Sequence, residues 1–458
     1  MKRTTGVLLL ALALFAGSLA GVVVATLRSE TVATGVTIAG VDVGGITKRQ
    51  VRERISPTIK QIRSRYVVLQ AEDKKWRFLL QELGMSPDMD GAIAKAYAIG
   101  RRGNAIQRFI ERCLPGGGYK KLRVDIAFDG ARLEAALDGV ARRIERTHKD
   151  AKLRVVGGRF LIEPEQSGVM LDVAKCARDI QESLGIGNDE PISLTLIEDK
   201  PDVTAADLRP IDTRLSIYTT TFSTGKLNRS HNIGLATGRL DGAIVKPGQV
   251  FSFNKTVGPR IGKLGYREAP VFINGELTPG TGGGVCQVST TIYNAALYAN
   301  MEIVQRSHHS GPVAYVPKGR DATVVYGALD LKFRNPGTAA VYISTGVTGG
   351  RITAAMYGAG ADKREVEITR SAAIRIPQKV FVYQDNSLEP GARVIVRDGY
   401  DGYSVRTYRT VKQNGVVVKR ETISKDRYLP LHTKVAVGPK PAGDVRTEQT
   451  PDVTPASM

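Results

Sequence analysis

The stretch from Gly6 to about Leu27 holds no charged residue, and Lys2 and Arg3 stand just before it. A segment this apolar cannot lie on the surface of a water-soluble domain, so it constrains the chain before anything else does. A helix needs roughly 20 apolar residues to cross a bilayer, whereas the apolar core of a cleaved signal peptide runs to about 7–15. Residues 1–29 are therefore read as a transmembrane helix that anchors the chain in the cytoplasmic membrane. Cleavage after Ala20, where Ser18 and Ala20 give a small-x-small pattern, is the alternative and would make the protein secreted. Lys2 and Arg3 stay inside by the positive-inside bias, which puts the rest of the chain outside the cytoplasm.

That topology chooses among the partners the charge permits. With 65 Lys and Arg against 45 Asp and Glu, the formal net charge of +20 favours an acidic partner, although a solvated basic surface would give the same count. Outside the cytoplasm, nucleic acid is excluded, which leaves an anionic membrane surface or anionic wall polymers. Cys113, Cys176 and Cys286 are too few for a disulfide-built scaffold, and their odd number leaves at least one thiol free. A Cys113–Cys176 disulfide stays open, because spacing does not give the geometry such a bond needs. No cofactor is expected. Nor is a metal site, since His308 and His309 are adjacent and on a strand would face opposite ways.

At 458 residues and 42% hydrophobic content, the chain is long enough for about three domains with cores of their own. The pattern predicts an α+β, β-rich, multidomain protein. Residues 30–210 alternate short strands with amphipathic helices, and two parts of the segment look alike. Trp76-Arg77-Phe78-Leu79 leads through Glu82 and Gly84 to a helical run from Asp90. Arg159-Phe160-Leu161-Ile162 leads through Glu165 and Gly168 to a helical run from Asp172 that contains Cys176. This suggests a duplicated module with an aspartate capping each helix. The pattern resembles the peptidoglycan-binding domain that often precedes VanW domains; two ordinary α+β spacers would read the same way. Cys176, among Val173, Ala177 and Ile180, reads as an inert core residue.

The most informative segment, 211–360, carries a series of blocks in fixed order. Phe222-Ser223-Thr224 and Asn232-Ile233 come first, then Lys246-Pro247-Gly248-Gln249 with Phe251 and Asn254. Gly282-Gly283-Gly284-Val285-Cys286-Gln287-Val288-Ser289-Thr290 follows, and then Arg306, His309-Ser310, Asp321 and Asp330. Together they resemble the VanW family, named for its association with glycopeptide (vancomycin) resistance gene clusters, and this implies a role at the cell envelope.

The residues themselves suggest a chemistry. Three glycines, a cysteine and then Val288, Ile292 and Ala295 at helical spacing read as a loop feeding a helix, with the thiol at its N-terminus. Free N–H groups and the positive end of the helix dipole stabilise a thiolate there. Gly283 and Gly284 would let a substrate approach the backbone, with Gln287 beside it. His309 is the preferred base over His308, and Asp321 the preferred orienting group over Asp330. The order cysteine, histidine, aspartate is similar to that of transglutaminase-like and NlpC/P60-like thiol enzymes. A packed structural thiol accounts for the same residues.

The corner Tyr357-Gly358-Ala359-Gly360-Ala361 marks a boundary between what are expected to be two self-contained units. From 365 to 440 the chain alternates apolar and polar residues, and Asn414-Gly415 is a hairpin signal. Gly391, Gly399, Gly402, Gly415 and Gly438 give the segment a resemblance to the G5 domain, which implies binding of N-acetylglucosamine-containing glycans, with Tyr400 and Tyr403 as stacking candidates. Residues 441–458 read as a disordered tail.

Two functions compete on this reading. One is a membrane-anchored protein of the cell envelope that binds peptidoglycan or associated wall glycans. The alternative is a peptidoglycan-modifying enzyme that uses Cys286, His309 and Asp321.

Overall fold

The computed structural model describes residues 21, 24–26, 28–113, 120–186, 190–273 and 275–439. Most of the expected membrane segment and the tail after 440 lie outside them. Among the described residues no helix is long and apolar enough to cross a membrane. The fold is α+β and rich in strands, and the chain divides into two compact units.

The first unit comprises Met1–Lys149 and Ser167–Pro201. Strands β1 (Tyr66–Ala71) and β2 (Lys74–Leu79) form an antiparallel hairpin. Every second residue of β1 is buried, the period a pleated strand imposes. Helix α1 (Gly130–Ile144) starts at Asp129, whose carboxylate accepts from the Arg132 N–H, and it buries Leu133, Leu137, Val140 and Ile144 along one stripe. Helix α2 (Val173–Ile186) brings Cys176 and Ile180 into the same core. Strand β3 (Ile192–Ser193) pairs with β1 in parallel. At its start, α2 is capped by Asp172, which accepts from the Lys175 N–H. The earlier helix, Met89–Ala98, is capped by Asp88 rather than by the Asp90 expected from the sequence, because Asp88 is the residue whose carboxylate reaches the Gly91 N–H. Arg159–Glu163 does not join this unit. Its hairpin belongs to the second, where Phe160 and Ile162 pack with Leu208 and Tyr342.

The second unit comprises Asp150–Gln166 and Asp202–Met458. After the hairpin of Lys152–Val156 with Arg159–Glu163 come β4 (Thr213–Thr221), α3 (Leu227–Leu240), β5 (Ala243–Val245), β6 (Val250–Ser252), β7 (Glu268–Ile273) and β8 (Glu276–Thr281). Next come α4 (Val285–Tyr298), β9 (Glu302–Gln305), β10 (Lys332–Arg334), β11 (Val341–Thr348) and β12 (Arg351–Gly358). A four-stranded antiparallel sheet runs β4-β12-β11-β5, and a smaller one runs β6-β10-β9. Helix α4 lies at the centre, with Val288, Ile292, Tyr293 and Ala296 fully buried, and it packs on α3, β4 and β12. A helix covered on nearly all sides positions its first turn rigidly.

The chain continues with β13 (Glu365–Arg370), β14 (Ile374–Ile376), β15 (Val380–Gln384), β16 (Arg393–Arg397), β17 (Gly402–Gln413), β18 (Val416–Tyr428) and β19 (Thr433–Val437). Strands β17 and β18 form a long hairpin, and both residues of its turn, Asn414 and Gly415, have positive φ. At the glycine corner of 357–361 the chain changes sheets, and contacts with the central core continue beyond it. Ile368 and Ile423 pack against the central core, and the buried Arg409 guanidinium donates to the Met301 carbonyl at 2.8 Å while pairing with Glu421.

Candidate functional site

The site begins where the three glycines enter α4. Gly282 and Gly284 hold φ values of +88° and +106°, a region that side chains rarely adopt. Gly283 is small for another reason: a Cβ there would stand 2.5 Å from the Pro270 carbonyl oxygen on β7. The side of the loop that a Cβ would occupy is packed on protein backbone, while Gly282, Gly283 and Gly284 all border the cavity. Asn232 completes the clamp by donating to the Gly283 carbonyl at 3.1 Å.

Cys286 is the second residue of α4 and is half-buried. Its sulfur lies 3.5 Å from Thr323 Oγ1 and 3.6 Å from the Val324 carbonyl, and it lines the same cavity as His309, whose imidazole acts on its charge. His309 Nδ1 and the His309 backbone N–H both meet Asp321 Oδ2, at 2.6 and 2.7 Å. With Nδ1 occupied by Asp321, the Nε2 side of the ring is left for the thiol. Ser289 and Thr290 on α4 explain how residues 35 apart in sequence are held in register. Ser289 Oγ donates to the Ala322 carbonyl at 2.6 Å, and Thr290 Oγ1 accepts from the Ala322 N–H at 2.9 Å. The segment bearing Asp321 is thus fastened to the helix bearing Cys286.

Asp321 is fully buried and richly partnered. Tyr428 donates its hydroxyl to Oδ1 at 2.5 Å, and Arg306 approaches the same oxygen at 3.3 Å while pairing with Asp426 at 2.6 Å. The electrostatics follow from these contacts. Burial pushes the Asp321 carboxyl up, but the His309 hydrogen bond and the Arg306 charge outweigh it and hold the group at about 2. Burial lowers the His309 imidazole, yet Asp321 and Cys286 together raise it to about 9. Burial raises the Cys286 thiol, and the imidazolium brings it down to about 7. Near neutral pH the pair tends towards thiolate and imidazolium. The thiol opens on a cavity of about 740 Å³ walled in part by Phe272, Tyr315 and Tyr326.

The other sequence candidates lie elsewhere. His308 turns Nδ1 to the His309 carbonyl and packs its ring on Tyr428. Asp330 accepts from Ser252 Oγ at 2.6 Å and from the Asn254 N–H at 2.9 Å, so it anchors a turn. Gln287 borders the cavity, but its amide is spent on Thr220, Thr221 and Arg229, because α4 directs it towards the sheet. Tyr400 donates to the Gly275 carbonyl at 2.9 Å and Lys318 covers the Tyr403 ring, so both tyrosines brace contacts within this unit. Tyr428, Arg306 and Asp426 are the site residues to which sequence reasoning gave no role. Tyr428 stands 107 residues from Asp321, and no local motif marks that pairing.

Three family models match the chain: "Putative peptidoglycan binding domain" over residues 76–193, "VanW like protein" over 228–357 and "G5 domain" over 367–440. Uncharacterized protein YoaR of Bacillus subtilis is 39% identical over 185 residues, covering 40% of this chain and 61% of that protein. Vancomycin B-type resistance protein VanW of Enterococcus faecalis is 37% identical over 113 residues, covering 24% of this chain and 41% of that protein. The chain thus spans less than two thirds of either relative. The IgA1 protease G5 domain structure is 23% identical and covers 17% of this chain and 94% of its own, with a TM-score of 0.14. The chain carries a VanW-like domain between a peptidoglycan-binding-type module and a G5 module, the make-up of a cell-wall-associated protein.

Proposed function

We propose that this protein is an extracytoplasmic, wall-bound thiol enzyme that transfers acyl groups of peptidoglycan peptides, with Cys286 as nucleophile, His309 as acid and base, and Asp321 as the group that orients His309. One observation carries the reading: a thiol with a pKa of about 7 and an imidazole whose Nδ1 rests on a buried carboxylate line one cavity large enough for a peptide.

The Cys286 thiolate attacks the carbonyl carbon of a peptide amide, forming a C–S bond as the C–N bond breaks. The leaving amine takes the proton from the His309 imidazolium. The thioester is then attacked by a second amine, or by water, which gives its proton to the neutral imidazole. The product is a new amide or a free acid, and the thiol is restored. The first turn of α4 lends positive partial charge to the developing oxyanion.

The flanking modules hold this site against its polymer by binding peptidoglycan or associated glycans, and residues 1–29 tether the chain to the cytoplasmic membrane. On this reading, sugars rest on the small sheet β15-β19-β16, where Phe381 and Tyr383 are exposed, and not on Tyr400 or Tyr403.

The test is to incubate the full chain with purified peptidoglycan and to read the muropeptides by mass spectrometry. Wild type should redistribute or remove peptide bonds and form a trapped acyl adduct on Cys286, whereas Cys286→Ala should do neither. A Cys286 that reacts with alkylating reagents only after denaturation would sink the reading.

A further inference from the structure

Two arginines, Arg229 and Arg260, line the cavity that opens on Cys286, and no carboxylate stands among its described lining residues. Elsewhere in this unit Arg306 answers to Asp321 and Asp426 and Arg409 to Glu421, while the buried Arg320, away from the cavity lining, is held by Asn294 and Tyr298. The cavity arginines are held by neutral amides instead. Arg260 Nη1 donates to Asn254 Oδ1 at 2.6 Å, and Arg229 Nη2 donates to Gln287 Oε1 at 2.6 Å. An amide oxygen fixes the direction of a guanidinium without cancelling its charge.

Both amides are themselves locked. Asn254 Nδ2 donates to the Val325 and Leu329 carbonyls, and Gln287 Nε2 donates to Thr220 and Thr221. The second terminal nitrogen of Arg260, Nη2, is buried with no hydrogen-bond partner. Burial lowers the pKa of both side chains, and for Arg260 the charges of Cys286 and Asp330 offset it only in part. Such a group costs stability unless something arrives to pair with it.

We propose that Arg260, assisted by Arg229, is a carboxylate-binding subsite of the thiol cavity, so that the preferred acyl donor is a peptide with a free carboxylate near the bond attacked. The inference rests on the acyl-transfer reading and adds its substrate class. Arg260 and Cys286 line the same cavity, so a carboxylate bound at Arg260 is held in the space on which the sulfur opens. An Arg–carboxylate pair in a desolvated cavity gives both affinity and orientation.

The test compares two reagents of nearly equal size, iodoacetate and iodoacetamide, on the full chain, with Cys286 followed by peptide mapping on the alkaline plateau of each rate profile. In wild type the iodoacetate to iodoacetamide rate ratio should exceed that of glutathione by about tenfold, and Arg260→Gln should bring it down by a similar factor while the iodoacetamide rate changes by less than about twofold. Arg260→Lys, which keeps the charge, should fall between. If Arg260→Gln does not fold, the Lys variant and the loss of the wild-type preference in high chloride carry the test. A wild-type ratio equal to that of glutathione, or one unmoved by removing the Arg260 charge, overturns the subsite. Should Cys286 fail to react even with iodoacetamide, the acyl-transfer reading falls by itself. Calorimetry with the peptide L-Ala-γ-D-Glu-L-Lys-D-Ala and its C-terminal amide then decides the subsite: weaker binding of the amide upholds it, and equal binding rejects it.

Discussion

Cys176 and Cys286 sit in similar local surroundings and differ in almost every chemical respect. Each is a free cysteine in the first turn or so of a helix, and each rests its sulfur on a neighbouring backbone segment. Cys176 Sγ accepts from the Thr195 N–H at 3.1 Å and approaches the Thr195 carbonyl at 3.6 Å. Cys286 Sγ is 3.6 Å from the Val324 carbonyl. Yet burial raises the Cys176 thiol, aided by Asp179 and Asp172 against the weaker pull of the Thr195 N–H, while Cys286 falls to about 7. A helix N-terminus is therefore not what separates them. An imidazole held by a buried carboxylate separates them, together with the cavity on which Cys286 opens, whereas Cys176 is fully buried.

The largest expected effect is the contrast itself. A thiol titrating at about 7 is about half ionised at neutral pH, whereas burial pushes the Cys176 thiol above its ordinary range and keeps it almost wholly protonated, so ionisation alone makes Cys286 alkylation faster by well over about tenfold. Cys176, fully buried, should be slower still. Iodoacetamide labelling of the native protein with peptide mapping reads this directly, and equal labelling of the two cysteines would abolish the comparison.

The next effect isolates the imidazole. His309→Gln leaves the burial of Cys286 and removes the group that opposes it, so the alkylation rate should rise with pH through 9 or higher instead of through about 7. At neutral pH the variant should be slower by more than about tenfold, and the two profiles should converge at high pH. An unshifted profile would assign the low thiol pKa to the helix.

That distinction also shows where the sequence was legible. The glycine run before Val285 and the helical spacing after it located the thiol on α4, and the order Cys286, His309, Asp321 named the three groups that meet. Polar contacts at a distance were not legible. A glycine reads alike whether β7 or open space lies beside it, and Gly283 has β7 on its Cβ side while also bordering the cavity. Gln287 reads as a cavity group until the sheet shows Thr220 and Thr221 claiming its amide. In β17 the alternation of Val405, Thr407, Arg409 and Val411 gives a strand with one buried face, but nothing local says that a buried arginine there grips the carbonyls at the end of α4.

The C-terminal module supplies a smaller effect that sharpens the contrast, since Cys176 has nothing comparable. Tyr428→Phe removes the hydroxyl that donates to Asp321 and accepts from the Gly319 N–H, at a cost of about 1–3 kcal/mol. Thermal unfolding should show that loss, and Cys286 alkylation at neutral pH should slow by a few-fold. Asp321→Asn should cost more, about 3 kcal/mol, because it leaves Arg306 and His309 without their shared carboxylate. A carboxyl held at about 2 against an ordinary 3.8 contributes stability that is complete above its ordinary value and disappears as pH falls through about 2. The gap between wild type and Asp321→Asn should therefore close on acidification. Deleting 365–458 should abolish the cooperative melt, since Asp426, Tyr428 and Arg409 leave together.

The smallest effect on reactivity is expected from Cys176→Ala. The substitution deletes one buried sulfur from a core shared with Leu133, Leu137 and Ile180 and leaves the Thr195 N–H without its acceptor. The combined cost is about 1–2 kcal/mol, from a small cavity and a lost weak hydrogen bond. Because Cys176 lies in the first unit and Cys286 in the second, the Cys286 alkylation profile should keep its rise through about 7 and its rate within about twofold of wild type. Denaturant unfolding of the first unit should shift while the labelling of Cys286 does not. A variant that slowed Cys286 without unfolding would mean that the two helices are coupled, and the difference between the thiols would then no longer be a property of each site alone.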